Sequence, residues 1–376
     1  MKELSHQLID RNSGKVLNLT LKDKTLISEA GKIEKPKTTQ KEFPSKEEAL
    51  KNFNKKEWEA LKNGFVLTNE SAQIGQPILH KFIGGGYTGS LSFQQTPDGI
   101  YVYKNAGQAE RLIDQLILID HSGTLLKEIE LPYPLAWNIE YRYETNSLLL
   151  DIDHFIYEFD IETNSFKNLG NTTGDHTSFV SATNDRTAFA TSGQLSIVNN
   201  QNEVLWAQDY EIETIKGTTP FSGNLSDDGK LLAFHNKVGE IQLINAMDGK
   251  VLTKIIGDFI MVSQMEFTNN NNLLVVREQY GTWGMRYFDL STNKEIKIKT
   301  LEVPEYTKDV KAFCFNSDQS KLVLVQRTTA YVFDFIERTY LHSFEIDHVV
   351  RTCDIKFVGD KLGVRTDYGC FSIYNV

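Results

Sequence analysis

Short apolar runs that end in Asp or Asn recur along most of the chain. Examples are Leu118-Ile119-Asp120, Tyr287-Phe288-Asp289 and Val332-Phe333-Asp334. The residues that end these runs, which we call the anchors, are Asp120, Asp160, Asn199, Asn245, Asp289, Asp334 and Asn375. Successive anchors are 40, 39, 46, 44, 45 and 41 residues apart. A period of this length indicates one supersecondary unit repeated seven times.

Two further markers recur between the anchors. A polar turn such as Asp227-Asp228-Gly229 separates two short apolar strands in each repeat. Gly or Asn follows five anchors by three or four residues and favours the left-handed backbone of a tight turn, whereas the sixth repeat has Arg338 there. The pattern therefore predicts four antiparallel strands per repeat, which is the unit of a β-propeller.

These residues resemble the WD-repeat family. The stretch 225–234 is similar to the family's second-strand hairpin, and Phe288-Asp289 and Phe333-Asp334 occupy its Trp-Asp position. The resemblance implies a mainly β protein with a seven-bladed β-propeller over residues 76–376. The seventh repeat has only three strands before the chain reaches Val376. Residues 78–83 are therefore expected to supply the fourth strand and close the ring.

Residues 1–75 follow a different pattern, which predicts a small α+β domain. Leu8-Ile9-Asp10 and the stretch 16–21 alternate like strands. Ser45 and Glu48 have the spacing of a capping box, and the helix that they begin is predicted to bury Ala49, Leu50, Phe53, Ala60 and Leu61 and to end at Gly64.

The stretch 43–53 resembles the WGR domain of poly(ADP-ribose) polymerases and bacterial regulator-like proteins. Ala30-Gly31-Lys32-Ile33 occupies the position of the motif that names this family, with Ala30 in place of the tryptophan. The resemblance implies a bacterial-type protein whose N-terminal domain makes nucleic-acid or interdomain contacts. Ala30 cannot stack on a base, so the fold is expected to carry over better than the nucleic-acid contact.

Charge divides the chain in the same way. Residues 1–75 contain 14 Lys and Arg against 11 Asp and Glu, whereas the remainder contains 26 against 39. An acidic propeller argues against non-specific binding of nucleic acid by that part. The basic residues beside the WGR-like motif are candidate contacts for an anion or nucleic acid; a solvated loop is the alternative. They are Lys32, Lys35, Lys37 and Lys41.

A second candidate site combines basic residues near the ends of the second strands of five repeats. Equivalent strand ends lie on one face of a propeller, so these residues are predicted to surround the channel mouth and contact an anion or acidic peptide. Ordinary charged strand ends are the alternative. The residues are Lys104, His235, Arg277, Arg327 and Arg365.

No catalytic residue, metal ligand or cofactor is predicted. The first strands read Ile139-Tyr141, Met265-Phe267 and Ile355-Phe357, whose apolar residues argue against a catalytic site in the channel. Cys314, Cys353 and Cys370 lie in apolar runs and are expected to be buried reduced thiols. The chain lacks an apolar leader and an 18-residue apolar window, so a cytoplasmic monomer without membrane contact is expected.

Three functions remain open at this point. The first is a non-catalytic scaffold whose propeller binds a protein partner, with the WGR-like domain as an accessory. The second is a nucleic-acid-associated regulator that uses the WGR-like domain as the reader. The third is a propeller enzyme with a site in the channel.

Overall fold

A computed structural model describes residues 4–85, 90–107, 113–153, 155–171, 179–191, 193–211, 213, 221–280, 284–298, 301 and 309–376. The N-terminal part contains five strands, one helix and a sixth strand that leads into the repeats. These elements are β1 (Leu4–Asp10), β2 (Lys15–Lys22), β3 (Thr25–Lys32), β4 (Lys35–Glu42), α1 (Lys46–Lys62), β5 (Val66–Thr68) and β6 (Pro77–Phe82).

Six repeats then form six separate four-stranded antiparallel sheets, each made of four consecutive strands. The strands are β7 (Phe93–Thr96), β8 (Gly99–Lys104), β9 (Gln115–Ile119), β10 (Leu125–Glu130), β11 (Ala136–Arg142), β12 (Ser147–Ile152), β13 (Phe155–Asp160), β14 (Ser165–Asn171), β15 (Phe179–Ala182), β16 (Arg186–Thr191), β17 (Gln194–Asn199), β18 (Val204–Asp209), β19 (Ser222–Leu225), β20 (Leu231–Lys237), β21 (Glu240–Asn245), β22 (Val251–Ile256), β23 (Met261–Thr268), β24 (Leu273–Tyr280), β25 (Met285–Asp289), β26 (Lys294–Ile296), β27 (Val310–Phe315), β28 (Lys321–Gln326), β29 (Thr329–Asp334) and β30 (Thr339–Glu345).

The last repeat does not form a separate sheet. Its strands β31 (Cys353–Val358), β32 (Lys361–Thr366) and β33 (Cys370–Tyr374) belong to a nine-stranded sheet in the order β31-β32-β33-β6-β5-β1-β2-β3-β4. The described residues therefore contain six separate blades, where the sequence predicted a seven-bladed propeller. The physical reason is that β5 pairs with the outer edge of β6, so the N-terminal strands continue this sheet.

The predicted closing strand is confirmed. Strand β6 pairs antiparallel with β33, with Ser372 opposite His80 and Ile373 opposite Leu79. Strand β31 lies beside β27 on one side and β7 on the other, which closes the ring of innermost strands. A mainly β protein with a β-propeller arrangement is thus the observed architecture.

The anchors have a structural role that explains their recurrence. The Asp289 carboxylate accepts hydrogen bonds from the backbone N–H groups of Ser291 at 2.8 Å and Thr292 at 3.1 Å. Asp120 and Asn245 accept equivalent bonds from the turns that follow them. These anchors therefore fix the turn between the third and fourth strands of their blades.

The residues that follow the anchors adopt the left-handed backbone that their identities predict. Asn164, Asn202 and Asn293 have φ of 57°, 62° and 54°. Arg338 departs from the Gly/Asn pattern and still has φ of 55°. The turn geometry is thus maintained even where the residue type does not favour it.

The apolar core lies mainly between neighbouring blades. One cluster joins Tyr101 and Leu118 of the first blade to Ile139 and Phe159 of the second. All three cysteines are buried and unpaired, as predicted. Across the described residues, the one helix lacks the length and apolarity to span a membrane.

Helix α1 begins as predicted, because the Ser45 side chain accepts a hydrogen bond from Glu48 N. It packs Ala49, Phe53 and Leu61 against Leu8 of β1 and the neighbouring strands. The inclusion of Leu50 in this face is wrong, since its side chain is 43% exposed.

Candidate functional site

The four candidate lysines of the N-terminal part lie on one hairpin. Lys32 is opposite Lys35 in the register of β3 and β4, and Lys37 is opposite Ala30. Because paired and alternate strand residues share a face, all four side chains are on the same face of the hairpin, and all four are exposed. Strand β4 is also the free edge of the nine-stranded sheet, where lysines and Pro36 oppose pairing with another chain.

The five candidate basic residues of the blades are not brought together in one site. His235 and Arg365 are fully buried. The guanidinium of Arg365 donates to the carbonyl oxygens of Gly84 at 2.8 Å and Tyr103 at 3.3 Å, and His235 Nδ1 is 2.8 Å from Glu240 O. These two side chains therefore bind backbone between strands rather than a channel mouth.

The remaining three have different surroundings. Lys104 donates to Gln115 Oε1 at 3.0 Å, and Arg327 lies exposed in the turn between β28 and β29. Arg277 alone lines the central channel, where it donates to Val310 O at 3.3 Å. Burial lowers the pKa of Arg277 to about 10, and Asp354 opposes this effect.

The central channel is a cavity of about 860 Å³ surrounded by the innermost strands. Its charged lining includes Glu140 of β11, Glu266 of β23, and Asp354 and Lys356 of β31. The apolar residues of these first strands, such as Met265 and Phe267, are buried in the clusters between blades, whereas alternating residues such as Glu266 are more accessible to the cavity. The prediction of an apolar channel is therefore wrong, and the polar residues between the apolar ones face inward.

Burial has a strong effect on the channel carboxyl groups. It raises the pKa of Glu266 to about 8, and the carboxylates of Asp227 and Glu140 add to this effect. Burial likewise raises the pKa of Asp354 to about 6, although Lys356 opposes it. The channel therefore contains carboxyl groups that change charge between mildly acidic and mildly basic pH.

Hydrogen bonds from side chains join the innermost strands of adjacent blades around the channel. Ser222 Oγ donates to Val262 O at 2.9 Å, and Gln264 Nε2 donates to Phe313 O at 2.7 Å. Lys356 Nζ donates to Gln94 Oε1 of β7 at 3.1 Å. These bonds hold the blades in fixed relative positions, since each one links two different sheets.

A second polar cluster lies where α1 meets the closing sheet. We call it the junction cluster: His6 of β1, Glu57 of α1, His80 of β6, and Asp347 and His348, which lie between β30 and β31. His348 Nε2 is 2.8 Å from Glu57 Oε1, and His6 Nδ1 contacts the other oxygen of the same carboxylate. His80 Nε2 is 3.9 Å from Glu57 Oε1 and 3.5 Å from Asp347 Oδ2.

Aromatic side chains cover the junction cluster. Trp58 stacks on Tyr368 with ring centroids 4.1 Å apart, and on His348 at 5.2 Å. Glu57 is 1% exposed and His80 is 0% exposed. Burial alone raises the pKa of the Glu57 carboxyl, but hydrogen bonds from His348 and His6 outweigh it and hold that pKa far below its ordinary value.

Sequence reasoning missed the junction cluster because its members are far apart in the chain. Glu57 and His348 are separated by 291 residues, and His80 and Ser372 by 292. Each histidine stands alone in its own segment, without metal-ligand or catalytic spacing. The available signal was the strand pairing of β6 with β33, which brings residue 80 to the C-terminal repeat.

Comparisons with known proteins support the fold and leave the function open. A scan against protein-family models and a search of curated proteins found no match. A chain from a solved structure described as "Crystal Structure of Mitotic Checkpoint Complex" has a TM-score of 0.61 and 11% sequence identity. The match covers 82% of this chain and 94% of that chain. Because 1465 chains of solved structures match, the likeness shows a widely used fold and selects no activity.

Proposed function

We propose that this protein is a non-catalytic interaction scaffold whose propeller binds a protein partner. The observation that carries the proposal is the ring of hydrogen bonds between adjacent blades. Such bonds fix the relative positions of surface groups before a partner arrives, so less conformational entropy is lost on binding. The likeness in fold to a chain of the mitotic checkpoint complex adds support, since that chain belongs to a protein assembly.

We place the contact on the face that carries the turns between first and second strands. These turns surround the channel and are short, and they include the exposed residues Asp98 and Asp360 on neighbouring sheets. Residues 76–376 carry 26 Lys and Arg against 39 Asp and Glu. A partner with a basic surface therefore suits this face, because complementary charge accelerates association.

Affinity capture from the source cells with the full-length protein tests this proposal. We expect a stoichiometric protein partner that survives nuclease treatment and that is lost from the variant Asp98→Lys/Asp360→Lys. The matched control is Glu128→Lys/Glu130→Lys, which makes the same charge change on exposed residues of the outer strand β10. Equal loss in both double variants, or no nuclease-resistant partner, contradicts the proposal.

A second candidate function is nucleic-acid binding by the N-terminal part. The shared exposed face of Lys32, Lys35, Lys37 and Lys41 favours it, because four ammonium groups on one hairpin face suit contacts with phosphates. If all four neutralise phosphates, the logarithm of affinity falls with the logarithm of salt with a slope of roughly −3 to −4. The quadruple Lys→Gln variant should abolish this dependence, and salt-independent or absent binding would remove the candidate.

The finer features of the architecture belong to the same proposal. We infer that β31, β32, β33 and β6 act as a seventh blade within the nine-stranded sheet, and that residues 1–75 are a WGR-like accessory domain beside residues 76–376. The pairing of β5 with β6 supports an accessory that stabilises the ring. The third hypothesis, an enzyme with a site in the channel, is the alternative, because the carboxyl groups of Glu266 and Asp354 line that channel. Catalytic turnover by the purified protein without a partner would favour it.

A further inference from the structure

The junction cluster brings ligand-type atoms from three distant segments to one point. One ligand-type atom from each of Glu57, His80 and His348 lies within 4.8 Å of the other two. Their side chains are 2%, 0% and 5% exposed. Two imidazoles and one carboxylate are the ligand types that zinc and related divalent transition metals prefer.

The hydrogen bonds of the junction cluster do not satisfy both ring nitrogens of His80. Its Nδ1 is 2.7 Å from Ser372 Oγ, which fixes the ring and directs Nε2 into the cluster. Nε2 is fully buried and makes no hydrogen bond of ordinary geometry, since its nearest acceptor, Asp347 Oδ2, is 3.5 Å away. A buried polar atom without a partner costs free energy, and a metal ion between Nε2 and Glu57 would remove that cost.

The ligand atoms could bind one metal ion once side-chain movement brings the widest-spaced pair, which lies within 4.8 Å, closer together. Tetrahedral zinc with bonds of about 2.0–2.1 Å places its ligand atoms roughly 3.3 Å apart. The separations of 2.8 Å between His348 Nε2 and Glu57 Oε1, and of 3.9 Å between His80 Nε2 and Glu57 Oε1, lie on either side of that value. Asp347 Oδ2, 3.5 Å from His80 Nε2, is a further carboxylate oxygen beside this group.

The surroundings also resemble the outer shell of a metal site. Ser372 holds the second nitrogen of His80, and His6 contacts the second oxygen of Glu57. Such partners orient metal ligands and set their basicity. Trp58 stacks on His348 and limits its rotation.

We propose that Glu57, His80 and His348, beside the carboxylate of Asp347, bind one divalent transition-metal ion of the zinc class. The ion would join α1, β6 and the segment before β31, and would thereby fasten the N-terminal part to the sheet that closes the ring. Ligands that are brought together only by folding make metal binding contribute to folding stability. This proposal is independent of the partner-binding function.

The experiment uses tag-free, full-length protein from which metals have been removed with a chelator. Titration with Zn²⁺ should show one equivalent bound and a higher melting temperature. Titration with Co²⁺ should produce the visible absorption of a four-coordinate N/O site, and Zn²⁺ should displace it. Folded metal-free protein that binds neither ion stoichiometrically would overturn the proposal and leave the cluster as a hydrogen-bond network.

Variants separate this site from adventitious binding. His348→Ala should abolish the Co²⁺ spectrum. Because His348 lies outside the strands, we expect this variant to fold, and circular dichroism checks that it does. Ser372→Ala removes an outer-shell partner and should weaken binding by about 10–100-fold. His121→Ala, at an exposed histidine, is the matched control and should bind like the wild type. If His348→Ala and His121→Ala bind Co²⁺ equally well, the ion is bound elsewhere and the proposal is overturned.

Discussion

The six separate blades and the nine-stranded closing sheet are held together by contacts of different range. In the separate blades, anchors such as Asp289 bond to the backbone of their own turns, two or three residues away. In the closing sheet, the seventh anchor, Asn375, donates to Ala72 O, 303 residues away. Contacts within each turn therefore specify the repeat, whereas closure of the ring depends on the N-terminal part of the chain.

Deletion of residues 78–83 should have the largest effect on closure of the ring. Strand β6 pairs with both β33 and β5, so its loss leaves two unpaired edges and removes the buried side chain of Leu79 from the apolar core. We expect loss of cooperative unfolding or aggregation, measured by circular dichroism and light scattering. Replacement of the same six residues by Gly and Ser controls for chain length and should fail equally. A soluble deletion variant with a single cooperative transition would contradict the role of β6.

A smaller but still large effect is expected for Trp58→Ala. Trp58 packs against Tyr368 and Phe82 of the closing sheet, and its removal should lower the free energy of unfolding by about 3–5 kcal/mol. Leu50→Ala on the exposed face of the same helix should change it by no more than about 0.5 kcal/mol. Denaturant titration measures both. Similar values for the two variants would show that α1 does not stabilise the closing sheet.

Within a separate blade, the anchor should contribute less. Asp289→Ala removes the acceptor for two backbone N–H groups, and we expect a loss of about 1 kcal/mol in the free energy of unfolding. Asp289→Asn keeps an acceptor oxygen of the type that Asn245 provides in its own blade, so it should be nearly neutral. A cost for the Asn variant equal to that of the Ala variant would mean that charge, rather than turn capping, determines the anchor.

The channel is shared by both regions and provides a test through pH. Burial raises the pKa of Glu266 to about 8 from an ordinary value of 4.5. Between these values the folded state binds more protons than the unfolded state, so the free energy of unfolding falls as the pH rises. We expect the melting temperature to fall by a few degrees between pH 5 and about pH 9.

Glu266→Gln is the matched variant for this pH dependence. It should flatten the decline and melt higher than the wild type at the alkaline end, because an amide does not ionise. Burial raises the pKa of Asp354 to about 6. In the Gln variant the melting temperature should therefore still fall with pH in the acidic part of the range. A variant that retains the full wild-type slope would exclude Glu266 as its source.

The left-handed turn residue of the sixth repeat, Arg338, should have the smallest effect on stability. Arg338 has φ of 55°, where an L-residue is strained. Arg338→Gly should relieve this strain of roughly 1–2 kcal/mol, against a cost of about 0.5–1 kcal/mol for the greater freedom of Gly in the unfolded chain. The free energy of unfolding should therefore rise by about 0.5–1 kcal/mol, whereas Arg338→Ala keeps the strain and should not raise it. Thermal melting of both variants decides this point, and a gain in the Ala variant would assign the effect to charge.

Features that depend on near neighbours in sequence were predicted correctly, whereas most features that depend on distant contacts were not. Turn anchors, left-handed turn residues, the closing strand and the capped start of α1 were predicted, because each depends on a few neighbouring residues or on one unfilled strand position. The channel lining was assigned to the wrong face. Alternation along β23 identifies two sets, Met265 with Phe267 and Gln264 with Glu266, but does not say which set faces the axis.

The sequence alone determined the repeat, its strands and turns, and the helix of the N-terminal part, because hydrogen bonds between near neighbours specify them. Only the tertiary structure decided that the last repeat merges with the N-terminal strands, that Glu140 and Glu266 line the channel, and that Glu57, His80 and His348 meet. These features arise when strands far apart in sequence pair and pack. No local pattern records which distant side chains such pairing brings within a few ångströms.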